Sequence, residues 1–414
     1  MSYRWKRSLT PTIALVLMMS ISGSACATPE AIVRRAAEGD TAAQYELGYM
    51  YFDGDGVKRD ESEAARWWRA AADAGHARAQ FNLGFMYFDG VGVERDYKAA
   101  IFWFSRAADQ GLAQAQNNLG IMYWRGLGVE KDVGEALRLY REAARHGHAT
   151  AQLNLGNMYS NGDGVAQDDQ KAVELWEESA RQGYSLAQTA LAKALLAGRG
   201  VEVDSRRAVR LLTEAASVGD PDAQFRLGVA YNEGEGVQRD LRRAAGWWLR
   251  AAEQDQPDAQ NALAYAYDKG LGVTRDTSAA FRWWSRAAEL GSLEAQCSLG
   301  FAYLRGSGVA QDDSLALQWY RRAAFAGQAD AQHNMALFWL EGALGSVDYV
   351  QAYAWSLLAA EQEHREALVV RDQIASALTK AEKIQALALA NSRRAEVEAR
   401  GTPEPRLVPS RQPN

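Results

Sequence analysis

The sequence predicts an all-α fold, an α-solenoid (superhelix) of stacked antiparallel helix pairs. Three observations carry that reading. The dipeptide Ala-Gln recurs with its glutamine at Gln44, Gln80, Gln116, Gln152, Gln188, Gln224, Gln260, Gln296 and Gln332, every step being 36 residues. A glycine-bounded loop follows at a fixed distance in nearly every copy, and an aspartate column precedes a second apolar pattern. A fixed period of 20–50 residues is the mark of repeat architectures.

The chain has 414 residues, 48% of them apolar, and a net charge of −6. It has ample material for a core. An acidic balance without a basic block argues against nucleic acid as a partner, and against an anionic membrane surface.

Residues 1–27 stand apart. Arg4, Lys6 and Arg7 precede an apolar run from Ile13 to Ile21, and Ala25-Cys26-Ala27 follows. That is the layout of a secretory signal with an A-x-A cleavage site, so the chain is expected to be exported, periplasmic or secreted. Cys26 admits a second reading, as the acylated residue of an outer-membrane lipoprotein; a membrane contact is expected only through that anchor, and Gly23 stands where such a motif wants leucine. Cleavage after Ala27 leaves Cys297 as the single thiol, so no internal disulfide is expected.

Residues 28–39 read as a half-repeat, a lone second helix from Ala31 to Gly39. Nine full units follow over residues 40–363. After each glutamine a leucine stands at +3 (Met335 in the last unit), glycine or alanine at +4 (Gly48 to Ala336), and an aromatic at +7 (Tyr51 to Tyr303, with Leu195 in the fifth). These positions share one face of a helix, and the small residue lets a neighbouring helix approach. The second helix opens at Asp60, Asp96, Asp132, Asp168, Asp204, Asp240, Asp276, Asp312 or Asp348, where a carboxylate can cap free N–H groups. Glu63, three residues after Asp60, would complete a capping box. Paired large residues such as Trp67-Trp68 and Trp247-Trp248 follow, then Ala-Ala and a terminal glycine such as Gly75. At one register position in unit after unit, the tryptophans read as packing between repeats. In the ninth unit the loop is lost at Gly342, Ala343, Leu344 and Gly345. Residues 364–399 read as a capping helical segment, and 400–414, rich in Pro and Arg, as a disordered tail.

The motifs AQ-x-x-LG-x-x-Y, G-x-GV and W-x-x-x-AA-x-x-G, with the Asp column, resemble the Sel1-like repeat family, relatives of the tetratricopeptide repeats. The resemblance implies a scaffold in envelope or signalling assemblies, sometimes those of exopolysaccharide or peptidoglycan. Cysteine-rich relatives are associated with penicillin-type ligands, but this chain lacks their cysteine pair per repeat.

Chemistry finds little support. Residues 52–60, FDGDGVKRD, concentrate acid and glycine, yet a calcium loop begun at Asp53 would put Gly56 at position 4, Val57 at position 5 and Ala64 at position 12, against the required ligand pattern. The glycines persist between units while the aspartates change, so the stretch reads as a turn: Gly54 ends a helix, Gly56 turns and Val57 anchors. No strand-loop-helix phosphate cradle, Ser-x-x-Lys or Gly-x-Ser-x-Gly pattern occurs in the region after the signal. His76 and His148 occupy equivalent turns, His146 neighbours His148, and His333 and His364 are isolated. No catalytic residue, metal site or cofactor is assigned, and the chain reads as a non-enzyme.

Helix one leaves a stripe roughly 140° from its core face. In this reading the stripe lines a concave wall and holds a peptide or protein segment of an envelope complex through Tyr45, Tyr49, Phe52, Phe81, Phe85, Phe88, Asn117, Ile121, Trp124, Asn157, Phe225, Tyr265 and Phe301. The alternatives are burial of these side chains between adjacent first helices, or binding of a glycan, peptidoglycan or, further off, a β-lactam by an enzyme.

Overall fold

The computed structural model describes residues 28–342 and 346–399, and every regular element within them is an α-helix. The expected signal segment with Cys26, the loop residues Ala343, Leu344 and Gly345, and the tail from 400 lie outside the described residues.

The chain forms two compact bodies that meet in sequence between Asp132 and Val133. The first holds α1 (Pro29–Ala37), α2 (Thr41–Asp53), α3 (Glu61–Asp73), α4 (Ala77–Asp89), α5 (Tyr97–Asp109) and α6 (Ala113–Arg125). The second runs through α7 (Val133–Arg145), α8 (Ala149–Asn161), α9 (Asp169–Arg181), α10 (Ser185–Ala197), α11 (Ser205–Ser217), α12 (Pro221–Glu233), α13 (Leu241–Ala252), α14 (Pro257–Lys269) and α15 (Thr277–Glu289). It ends with α16 (Leu293–Arg305), α17 (Asp313–Phe325), α18 (Ala329–Leu340), α19 (Tyr349–Glu361), α20 (Arg365–Ala377) and α21 (Lys380–Ala399). Within each body consecutive helices pack as antiparallel pairs, the architecture of an α-solenoid.

Local chemistry starts and stops each helix. Asp60 Oδ1 accepts from the Ser62 and Glu63 N–H groups, both at 3.0 Å, and the aspartates that open α5, α9, α11, α13, α15, α17 and α19 cap in the same manner. The expected capping box forms only by half. Glu63 pairs with Arg66 at 2.7 Å, because the Asp60 N–H it would have reached already donates to the Tyr51 carbonyl at 2.9 Å. Gly54 ends α2 at φ 82°, in the left-handed region that favours glycine.

The second loop glycine does more than turn. A Cβ on Gly236 would stand 2.2 Å from the Ser205 carbonyl oxygen, so the loop after α12 lies directly on the first turn of α11. That close approach passes from one unit to the next.

The glutamine column seals helix ends. Gln80 Nε2 donates to the Ala72 carbonyl at 3.0 Å, and Gln224 to that of Ala216 at 3.1 Å, so each side chain occupies a backbone acceptor left over by the preceding second helix. Gln80 Oε1 in turn accepts from Gln110 at 2.8 Å, and Gln224 Oε1 from Gln254 at 2.8 Å. The core between these seals is small: Ala43, Leu47, Ala64 and Ala71 are fully buried, as are their counterparts along the chain. Trp68, Trp176, Trp248 and Trp284 fill it. At the C-terminal end, α21 lays Ala386 and Ala390 onto Tyr320, Trp355 and Leu358. The Arg393 guanidinium lies 4.0 Å above the Trp355 ring, where burial pulls its pKa down to about 10.

Candidate functional site

The sequence left open whether the first-helix stripe is exposed or buried, and the structure buries it at several positions. Phe81, Ile121 and Trp124 are 2%, 1% and 6% exposed, and Asn117 is fully buried. Rings of the stripe turn toward their paired helix. A large ring on helix one folds sideways onto its own second helix: Phe81 meets Phe104 at 5.6 Å, Phe52 meets Trp68 at 5.3 Å, and Tyr49 meets Trp68 edge-on at 5.2 Å. Tyr45 stands 5.0 Å from Tyr49 and stacks on His76 at 4.4 Å. Phe88 packs against Tyr97 at 5.6 Å, and Phe85 is half-buried.

Two polar members of the stripe serve the interior. Asn117 Nδ2 donates to Asn118 Oδ1 at 3.2 Å, and Asn157 Oδ1 accepts from the Trp176 indole at 3.1 Å. Phe225 is half-buried, and its carbonyl accepts from Trp248 at 3.2 Å.

Tyr265 on α14 and Phe301 on α16 differ from the rest. They occupy the same register one repeat apart and are 53% and 48% exposed. Lys269 Nζ stands 5.7 Å from the Tyr265 ring centroid and the Arg305 guanidinium 5.9 Å from that of Phe301. Carboxylates sit in the first turns of the same helices, at Asp258 and Glu294, and at Asp330 on α18. The result is an apolar row with acid at one end and a cation over each ring. Sequence reasoning missed Phe102, a second-helix ring 52% exposed with the Arg106 guanidinium 5.6 Å from it; only its departure from the arginines of other units at that column hints at it.

The titratable groups are mostly structural. His76 and His148 are helix caps: each Nδ1 accepts from a backbone N–H, of Ala79 and Ala151, at 3.2 Å. Burial lowers both pKa values, that of His148 to about 4. His333 and His364, isolated in sequence, stack at 4.7 Å, but His364 uses Nδ1 to cap α20 and Nε2 to meet Asp330 at 3.0 Å. Among the described residues no group of three or more His, Cys, Asp and Glu is placed to hold a metal ion. Cys297 is buried, its Sγ 3.2 Å from Asn334 Nδ2, and burial raises the thiol to about 11, far from a nucleophile's range.

The Sel1 repeat family model matches residues 41–76, 77–112, 113–148, 149–184, 185–220, 221–256, 257–292, 293–327 and 329–364. Two solved structures extend the comparison. One is c5321, described as a protective antigen present in uropathogenic Escherichia coli strains and displaying an SLR fold; it is 30% identical over 92% of this chain and 91% of its own, with a TM-score of 0.55. The other is a Sel1 repeat protein from Oxalobacter formigenes, 35% identical over 73% of this chain and 87% of its own, with a TM-score of 0.53. No curated protein matches the chain.

Proposed function

The chain belongs to the Sel1 repeat family, and we propose that it is an exported interaction scaffold whose first helices hold a segment of another envelope protein. The observation that carries the reading is the pair Tyr265 and Phe301, large rings left about half exposed at one register of successive repeats. Exposed aromatics held on rigid helices are the usual anchors of protein recognition. The Lys269 and Arg305 cations over these rings favour a segment that carries acidic residues between its apolar anchors.

Export rests on Arg4, Lys6 and Arg7, the apolar run from Ile13, and Ala25-Cys26-Ala27. The proposed role is that of a scaffold, not an enzyme.

Two measurements test this. A photo-crosslinker at position 301 should capture a defined protein in cells, and Tyr265→Ala with Phe301→Ala should abolish the capture without loss of helical circular dichroism. Capture that survives the double change sinks the site, and recovery of a polysaccharide instead favours the glycan alternative. Cell fractionation with intact mass tests export: a soluble chain starting at Thr28 supports it, an acylated Cys26 replaces it with the anchored form, and an uncleaved cytoplasmic chain refutes it.

A further inference from the structure

The sixth unit carries an open pocket between α12 and α13. Gly246 lies inside α13, where other units place larger side chains, among them Arg66, Phe102, Arg138, Glu174, Arg210, Arg282 and Gln318. Glycine there costs the helix about 1 kcal/mol against alanine. At Gly48 or Gly228 a neighbouring ring uses the space; at Gly246 an added Cβ would meet nothing within 4 Å. The space is the floor of a pocket of about 350 Å³ lined by Tyr231, Arg243, Gly246, Trp247 and Arg250.

Two of these walls are aromatic and two are cationic. The Arg250 guanidinium stacks 4.5 Å from the Trp247 ring and pairs with no carboxylate among the described residues. Arg243 stacks 5.5 Å from Tyr231, donates to its hydroxyl at 3.3 Å, and pairs with Asp240 at 3.4 Å. The Arg250 guanidinium, stacked on Trp247, keeps its N–H edge free for an anion. Around it, α11, α13 and α15 together carry eight arginines and two glutamates, with Arg207, Arg243 and Arg286 paired to Glu177, Asp240 and Asp255.

We propose that this pocket binds a carboxylate carried beside a flat ring. The ring lies over Gly246 against Trp247, in the space a side chain at 246 would fill, and the carboxylate meets Arg250 and Arg243. A bare anion would leave both aromatic walls wet, and a neutral ring would leave the Arg250 guanidinium without a carboxylate. The ligand is a free aromatic acid or the C-terminal aromatic residue of a peptide. The site shares no residue with the Tyr265 and Phe301 row, so its fate is independent of that reading.

Fluorine NMR on the full chain tests the proposal with N-acetyl-para-fluorophenylalanine and its carboxamide. The acid should bind saturably and the amide at least about tenfold more weakly, the value of a charge-assisted hydrogen bond. Gly246→Leu should abolish binding while keeping or raising the thermal midpoint, since leucine favours a helix. Arg250→Gln, which leaves the pocket open, should weaken binding about tenfold. Absence of saturable binding, equal binding of acid and amide, or binding that survives Gly246→Leu overturns the proposal. A para-fluorophenylalanine tripeptide with a free C-terminus that binds more tightly than the N-acetyl acid assigns the ligand to a peptide end; equal affinity assigns it to a free acid.

Discussion

Trp68 lies so close on Gly48 that a Cβ at position 48 would stand 2.3 Å from its Cδ1, and the same indole N–H donates to the Tyr45 carbonyl at 3.1 Å. Gly228 and Trp248 repeat the arrangement, with the indole bonded to the Phe225 carbonyl. In the seventh unit Ala264 stands in the glycine's place, and the buried Trp284 indole N–H has no partner. Where the glycine groove is closed by one methyl group, the indole bond is missing.

Gly228→Ala should therefore destabilise the second body by about 1–3 kcal/mol, through overpacking and the lost indole bond. Ala264→Gly should cost less, because the Trp284 bond it permits offsets the helix propensity lost. Hydrogen exchange at the two indoles checks both: Trp248 should lose protection and Trp284 gain it.

Leu290→Gln should stabilise the seventh unit. Gln110, Gln182, Gln254 and Gln362 each donate to the column glutamine thirty residues earlier, at 2.7–2.9 Å. Leu290 occupies that position for Gln260, whose buried Oε1 is unsatisfied, and is itself 43% exposed. Supplying the donor should add about 1 kcal/mol, read as a raised thermal midpoint.

Acid should weaken the helix caps. The His148 pKa falls to about 4 in the folded chain because burial disfavours the cation, and only neutral Nδ1 can accept from Ala151. A depressed histidine pKa gives stability that is complete above the unfolded value near 6.5 and lost as the pH falls toward 4. For His148 alone that is at most about 3 kcal/mol; His76 and His333 act in the same direction. His148→Asn, a cap that does not titrate, should flatten part of the midpoint's fall between pH 7 and pH 4.

Cys297 should be inert in the folded chain. With its thiol buried and raised to about 11, an aromatic disulfide reagent should label it only at the rate of local opening, and quickly once the chain is denatured. Immediate native labelling would show that α16 and α18 part more easily than their packing allows.

The repeat, the helix pairs, the Asp caps, the Gly54 stop and the packing role of the tryptophans were legible in the sequence, because each depends on residues a few positions apart and recurs at one spacing. Glu63 was misread because the partner of the Asp60 N–H is Tyr51, a contact made only when the loop closes. Side-chain direction was not legible either. Whether Phe81 or Phe301 faces solvent depends on where a ring finds space on the paired helix, and periodicity fixes only the register. The same holds for Gly246: in the sequence it is one glycine among 36, and only the packed positions of Tyr231, Trp247 and two arginines turn it into a pocket. Local spacing specifies the scaffold, while exposure and pocket chemistry arise from contacts between helices, which only the tertiary structure decides.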